Sequence, residues 1–381
     1  MKKALYVATV DIHIRTFHLP YLKLLHDNGY EVHVATNGNE QFPNCDVKHQ
    51  ICIERSPFKI SNIKAIKQLR KIIDTEKFNI IHCHTPMGAV VARLAAKNAR
   101  KKYGTRVIYT AHGFHFYKGA PKLNWLLFFP IEKYLAKYTD TLITINKEDY
   151  ELAKDKFSKR CSDIQYVPGI GIDVKKFDVK ICDKEKNKLI KELGLRKNDY
   201  ILTCVARLDK NKNQEFLINV MDRLNESYDN IHLLLVGPDE LNGYYQTLVN
   251  QKKIKNIHFL GRRENIPEIL AISNIVVSAS LREGLPVNVL EAFAAGKPVV
   301  SLNCRGMIDL IENGKNGFII NINDNGELFA NKILYIINLD KIALDNIMKN
   351  NLNKASLYDI NNLIKIYSNI YKTGDINEDN V

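Results

Sequence analysis

The 381-residue chain is 45% hydrophobic and 25% charged, a soluble globular composition with length enough for two domains. It has no low-complexity tract and no apolar run of the roughly eighteen residues that a membrane span needs. The formal charge of +13 lies entirely in residues 1–180, which hold 30 Lys and Arg against 17 Asp and Glu, whereas the rest of the chain is balanced. A basic half beside a neutral half predicts two domains with different partners, the basic one meeting nucleic acid, an anionic membrane or an acidic substrate.

The start, "MKKALYVATV", is basic then apolar, but Asp11, His13 and Arg15 follow at once and leave no signal-peptide core or cleavage site. It reads as a buried first strand. "FHLPYLKLLHDNG" reads as an amphipathic helix closed by Gly29, and "YEVHVATN" as the next strand. "NIKAIKQLRKIIDTE" follows as helix, then "FNIIHCH" as strand, "GAVVARLAAKNARK" as helix and "RVIYTAHG" as strand. "TLITIN" and "IQYVPG" continue the alternation, which predicts parallel sheets with helices on both faces. The polar, Lys-rich stretch from about Asp178 to Asp199 shows no strong strand and reads as a linker. The pattern restarts with "YILTCVARL", "IHLLLVGP", "IHFLGR", "NIVVSAS" and "PVVSL"; after about Asn321 only helices are expected. The expected division is 1–176, a linker at 177–198, a second domain at 199–354, and a helix and tail at 355–381 that returns to the first domain. The seven cysteines are scattered and odd in number, pointing to a reducing, cytoplasmic setting. Cys83 stands between His82 and His84, but no second Cys/His pair has finger-like spacing, so zinc is not expected.

Ligands of open parallel sheets sit beyond the carboxyl ends of the strands, and two such domains facing each other would form a cleft there. Arg207 and Lys212 flank the turn after "YILTCVA", five residues apart, a spacing suited to gripping a diphosphate. Gly237 and Gly261 end two further strands and allow close backbone approach; Arg262 follows the second. In "LREGLPVNVLEAFAAGKPVVS", Glu283 falls at a strand end and Pro286 near a helix start. The backbone N–H groups around Gly284, Leu285 and Val287 would then face an anion. Glu291 lies on the order of 10 Å further along the helix. A nucleotide-sugar carries hydroxyl-rich rings at both ends of a diphosphate, and one carboxylate for each ring fits that ligand.

The E-x7-E run from Glu283 to Glu291, "ARLDKNKNQ" and "GKPVVSLNCRGMIDLIENGKNGFII" resemble the retaining family-4 glycosyltransferases of GT-B fold. "FHLPYLKLLHDNGYEVHVAT", "TAHGFHFYKG" and "VPGIGIDVKKF" further resemble bacterial transferases of exopolysaccharide and capsule assembly. The resemblance implies an α/β fold of two Rossmann-like domains. It also implies that Glu283 touches the donor sugar, Glu291 the ribose, Arg207 and Lys212 the diphosphate, and that His112 of "TAHG" reaches the donor sugar. It implies retention at the anomeric carbon, with the leaving phosphate taking the acceptor proton and no protein base assigned. Many relatives carry a Gly-Gly loop after the first strand where this chain has "VDIHIRTFH", which leaves the roles of His13 and Arg15 open. No Asp-x-Asp occurs, so no metal cofactor is expected at the diphosphate, and fixed cations take that task. The donor is expected to be a UDP-sugar, such as an N-acetylhexosamine, from the resemblance alone. A nucleotide-sugar 2-epimerase of the same fold and a non-catalytic nucleotide-sugar sensor are the alternatives.

"KGAPKLNWLLFFPIEKYLAK" concentrates the only Trp with two Phe and several Lys, as interfacial elements do. Trp125, Phe128 and Phe129 are therefore candidates for the acceptor or membrane side, together with His13, Arg15 and His115. A buried helix is the competing reading. The basic charge lacks the Arg-rich helix or stacking motif of a nucleic-acid binder. The expectation is a cytoplasmic enzyme peripheral to the inner face of an anionic plasma membrane, acting on a lipid-diphosphate-linked saccharide.

Overall fold

In the computed structural model, which describes residues 1–179 and 182–373, the alternating pattern builds two separate parallel sheets. The first unit comprises Met1–Gly171 and the segment from Ile360; the second comprises Ile172–Asp359.

The first sheet holds β1 (Lys2–Val10), β2 (Tyr30–Asn37), β3 (Val47–Gln50), β4 (Ile80–His84), β5 (Arg106–Ala111), β6 (Thr141–Thr144) and β7 (Asp163–Tyr166). Their order is β3-β2-β1-β4-β5-β6-β7. Side chains alternate between two apolar faces, as a sheet covered on both sides requires. Leu5, Val7, Ile81, Cys83 and Val107 enter one core, and Ala4, Tyr6, Val32, Ile80 and Ile108 the other. The connecting helices are α1 (Asp11–Phe17), α2 (Leu19–Asp27), α3 (Ser61–Glu76), α4 (Pro86–Ala95), α5 (Ala99–Tyr103), α6 (Lys122–Leu135) and α7 (Lys147–Phe157). The segment "DIHIRTF" after β1, read as loop, is helix α1. Its Ile14 is buried, and its Asp11 carboxylate accepts from Glu40 N at 2.9 Å and pairs with Lys48 Nζ at 3.2 Å.

The second sheet holds β8 (Tyr200–Val205), β9 (Ile231–Val236), β10 (Ile257–Gly261), β11 (Ile275–Ser278), β12 (Val299–Leu302) and β13 (Gly317–Ile320), ordered β10-β9-β8-β11-β12-β13. Its helices are α8 (Asp183–Glu192), α9 (Gln214–Asn225), α10 (Tyr244–Lys252), α11 (Ile266–Ile272), α12 (Val287–Ala294), α13 (Met307–Leu310), α14 (Glu327–Ile337) and α15 (Lys341–Ser356). The chain then rejoins the first unit with α16 (Ile360–Lys372), whose Leu363, Tyr367, Ile370 and Tyr371 are buried beside Tyr6 and Tyr21.

The expected linker at 177–198 is corrected. The second unit starts at Ile172, and α8 belongs to its core, with Leu189, Ile190, Leu193 and Leu195 buried against Ile201, Val236 and Ile269. The lysines that suggested a linker are the solvated face of an amphipathic helix. Positions 180 and 181 of that stretch, and the tail from 374 onward, lie outside the described residues.

Candidate active site

In the second sheet β8 and β11 are neighbours although two strands separate them in sequence, so the strand order reverses between them. Loops leaving the carboxyl ends at such a switch point flank the ligand crevice of an open α/β sheet. Here they are residues 206–213 and 279–286, and they are stapled together. Leu281 N donates to Asn211 O at 2.8 Å, Asn211 Nδ2 donates to Arg282 O at 3.1 Å, and Asn288 Nδ2 of α12 donates to Val205 O at 2.9 Å. Backbone and amide bonds thus set the distance between the loops before any ligand is present.

Across this staple Lys212 Nζ lies 2.5 Å from Glu283 Oε1, with both side chains largely withdrawn from solvent. Partial burial strengthens such a pair and fixes both heads in place. Asp209 organises the rest of the first loop. Its carboxylate accepts from Lys212 N at 2.8 Å and pairs with Arg207 Nη2 at 3.3 Å. Arg207 also pairs with Glu240 at 2.8 Å and is more than half exposed. Arg207 and Lys212 therefore share one organising carboxylate, but only Lys212 reaches Glu283.

Beyond Glu283 the chain passes Gly284 and the buried Leu285, and α12 begins at Val287 behind Pro286 with no side-chain cap on its first N–H groups. Gly306 stands directly against this turn. Its φ is +82°, and a Cβ there would sit 2.6 Å from Gly284 O. Arg305 Nε donates to Glu283 O at 3.3 Å, holding the turn from behind. Gly237 serves the neighbouring strand end in the same way, since a Cβ there would sit 2.1 Å from Ala206 O. Gly237 N donates to Gly261 O at 2.9 Å, and the exposed Arg262 follows. A cavity of about 240 Å³ opens beside Gly237 and Gly261, bounded also by Leu208, Tyr245 and Phe259.

Glu291 is the fifth residue of α12 and is half-buried. Burial pushes its carboxyl up to about 7, partly opposed by Lys176 from the turn Val174–Phe177 that packs on the helix. Among the described residues its carboxylate has no hydrogen-bond partner, which leaves its acceptors open to a ligand hydroxyl.

In the first unit the order reverses between β1 and β4, and the histidines gather there. His13 lies on α1, His84 ends β4 and His112 follows β5; His84 Nδ1 and His112 Nε2 are 3.3 Å apart. Burial lowers His13 to about 4 and holds His84 and His112 well below the usual imidazole range, so all three are neutral. Arg15 is directed away into an ion pair with Glu40 at 3.1 Å. Trp125, Phe128 and Phe129 correct the membrane expectation. They are the inner face of α6, packed on the core beside Phe116, with Phe129 stacked on Phe157 and Trp125 Nε1 donating to Tyr117 O at 3.2 Å. The His115 ring lies against Phe128, 4.8 Å between centroids. On the same face Glu132 pairs at 2.9 Å with the buried Arg93 of α4.

Residues 185–355 match the family of glycosyl transferases group 1, and residues 3–146 match the glycosyl transferase 4-like family. The chain is a GT-B glycosyltransferase of these families. EpsD of Bacillus subtilis (strain 168), a glycosyltransferase by name, is 44% identical over 87% of this chain and 86% of its own. An Escherichia coli UDP-Gal:alpha-D-GlcNAc-diphosphoundecaprenol alpha-1,3-galactosyltransferase is 32% identical over 77% of this chain and 74% of its own. Among solved structures, Anabaena Alr3699/HepE in complex with UDP and glucose superposes with a TM-score of 0.76 at 21% identity, covering 98% of this chain and 100% of that one. The glycosyltransferase is thus a hexosyltransferase enzyme of the exopolysaccharide and capsule type.

Several groups that shape the glycosyltransferase's crevice escaped the sequence reading: Asp209, Asn211, Asn288, Arg305 and Gly306. Arg305 and Gly306 lie inside the downstream segment that carried the resemblance, which was the available signal. Asp209 and Asn211 lie inside "ARLDKNKNQ" and Asn288 inside the Glu283-to-Glu291 run, but the bond from Asn211 to a loop 71 residues away is not visible in local spacing. Among the described residues, no helix is long and apolar enough to cross a membrane.

Proposed function

We propose that the glycosyltransferase moves a hexose or N-acetylhexosamine from a UDP-sugar to a lipid-diphosphate-linked saccharide, with retention at the anomeric carbon. The observation that carries this reading is the half-buried Lys212–Glu283 pair at the β8/β11 switch point, with α12 beginning beside it. The Lys212 ammonium and the uncapped N–H groups of α12 stabilise charge developing on the leaving diphosphate. Glu283 accepts hydrogen bonds from the donor sugar, and Glu291 from the ribose. The cavity beside Gly237 and Gly261, with Arg262 at its edge, suits the nucleotide. No metal cofactor enters this step, and the leaving phosphate takes the acceptor proton. UDP and the lipid-linked acceptor are supported by the activity for which the Escherichia coli relative is named. The test incubates the enzyme with UDP-glucose, UDP-galactose and their N-acetyl forms and a short-chain prenyl-diphosphate saccharide. UDP release without any glycosylated lipid, from every donor, would overturn the reading. An inverted linkage in the product's NMR spectrum would overturn retention.

We further propose peripheral attachment to the anionic inner face of the plasma membrane, through the outer face of α6. That face presents Leu123, Leu126, Leu127, Ile131 and Tyr134 to solvent, with Leu126 71% exposed, among Lys122, Lys133 and Lys137. A row of exposed apolar side chains rimmed by lysines is the signature of an interfacial helix.

A further inference from the structure

We propose that His13, His18, His84 and His112 form a binding site for one divalent transition-metal ion of the zinc class. The four rings come from four segments: α1, the α1–α2 junction, the end of β4 and the residue after β5. Each offers one nitrogen, and these four nitrogens all lie within 4.8 Å of one another. A tetrahedral ion with metal–nitrogen bonds of about 2.0–2.1 Å needs its donors roughly 3.3–3.4 Å apart. His84 Nδ1 and His112 Nε2 stand at 3.3 Å, so one edge of that tetrahedron is in place.

The second observation is polar dissatisfaction. His13 Nε2 and both ring nitrogens of His18 are buried and have no hydrogen-bond partner. Burying such groups unpaired costs free energy, and buried polar atoms normally find partners. The neighbouring His82 shows the ordinary solution, bonding Tyr371 Oη at 2.9 Å and Thr110 Oγ1 at 2.8 Å. The four rings instead crowd against one another, with centroids 3.9 to 6.1 Å apart. A central ion would take a lone pair from each ring. Imidazole donors suit zinc, copper, nickel or iron and not magnesium, which prefers oxygen. With no carboxylate among the donors, the ion keeps its charge and adds to the basic character of this unit. The site is separate from the metal-free diphosphate grip proposed for the second unit, and its failure would leave that reading standing.

The experiment uses tag-free full-length protein dialysed with excess zinc, then freed of unbound ion and measured by plasma mass spectrometry. About one zinc per chain is expected, and cobalt in its place should give the visible bands of a four-coordinate ion. His13→Ala and His112→Ala, at the half-buried members, should weaken zinc affinity by roughly tenfold or more with the circular dichroism unchanged. Glu76→Gln, in the separate Glu31–His33–Glu76 group, should keep the ion. Wild-type protein without bound zinc or a cobalt spectrum would overturn the proposal. So would zinc held equally by His13→Ala and His112→Ala, or zinc lost in Glu76→Gln.

Discussion

Lys212 Nζ rests 2.5 Å from Glu283 Oε1, joining two loops that are 71 residues apart in the chain. The pair makes each residue's role depend on the other. In the proposed reaction Glu283, which accepts from the donor sugar, also presents Lys212 to the diphosphate. Replacing Lys212 with Ala should therefore cost about 2–4 kcal/mol of transition-state stabilisation, read as a fall in kcat/KM for the UDP-sugar. Arg207 is more exposed and held by Glu240 and Asp209, so Arg207→Ala should cost roughly tenfold, or about 1.4 kcal/mol. Equal losses at the two positions would contradict this ranking, and wild-type turnover for Lys212→Ala would remove Lys212 from the site.

Glu291 gives a pH dependence whose sign follows from its environment. Its carboxyl titrates near 7 in the fold against an ordinary 4.5, because burial disfavours the charge. Between those values the folded chain holds a proton that the unfolded chain releases. Stability from this group therefore declines as pH rises from 4.5 to 7 and is level beyond. Glu291→Gln removes the decline, so its melting temperature relative to wild type should rise across that window and then stay constant. A parallel pair of curves would show that the carboxyl titrates normally.

The same group should tune donor binding. In the ribose role proposed for it, the ionised carboxylate would accept from both ribose hydroxyls, whereas the protonated one has lost an acceptor. UDP-glucose, which has no phosphate ionisation of its own near neutrality, should bind up to roughly tenfold tighter at pH 8 than at pH 6. Glu291→Gln should bind it weakly at both. Calorimetry with the variant checks this, and unchanged affinity would contradict the ribose role.

What the sequence made legible was whatever depends on short spacing. The βα alternation, Gly237 and Gly261 at strand ends, and the Glu283-to-Glu291 run each rest on residues close together in the chain. What it hid depends on segments meeting at a distance. The four histidines are strung from position 13 to position 112, and only the folded switch point brings them together. Local Cys/His spacing could not register that grouping. In "NWLLFFPIEKYL" the aromatic residues have the composition of an interfacial element, but helical periodicity assigns Trp125, Phe128, Phe129 and Glu132 to one face. Leu123, Leu126, Leu127 and Ile131 occupy the other. The Arg93–Glu132 pair and the Phe157 stack turn the aromatic face inward. The Lys-rich α8 was hidden differently, because two apolar residues of the helix, Leu189 and Ile190, with Leu193 and Leu195 just beyond it, suffice to dock an otherwise charged segment.

The metal-free diphosphate grip predicts that millimolar magnesium or manganese changes initial turnover by no more than about twofold, since side chains and a helix terminus already meet the leaving charge. Initial rates in metal-free buffer with and without each ion check it. Turnover that appears only with added magnesium or manganese would overturn the grip.

The membrane contact now rests on different residues from those the sequence put forward. Leu126 and Leu127 project from α6 into solvent, so Leu126→Ser with Leu127→Ser should leave melting temperature and turnover of a water-soluble acceptor unchanged. Lys122, Lys133 and Lys137 would each add about 1 kcal/mol of attraction to an anionic leaflet, so co-sedimentation with phosphatidylglycerol vesicles should fall as salt rises. The double serine variant should fall further at every salt concentration, because it loses the apolar insertion and keeps the charge. Trp125→Ser with Phe129→Ser is the contrasting pair. Those rings pack on Phe116 and Phe157, so their loss should lower the melting temperature markedly, in the manner of a core cavity. If the leucine pair bound vesicles as well as wild type while the aromatic pair stayed fully folded, the inward and outward faces of α6 would be assigned the wrong way round. Wild-type protein that ignores acidic vesicles at low salt would refute the contact outright and leave the basic charge of residues 1–180 to the acidic acceptor.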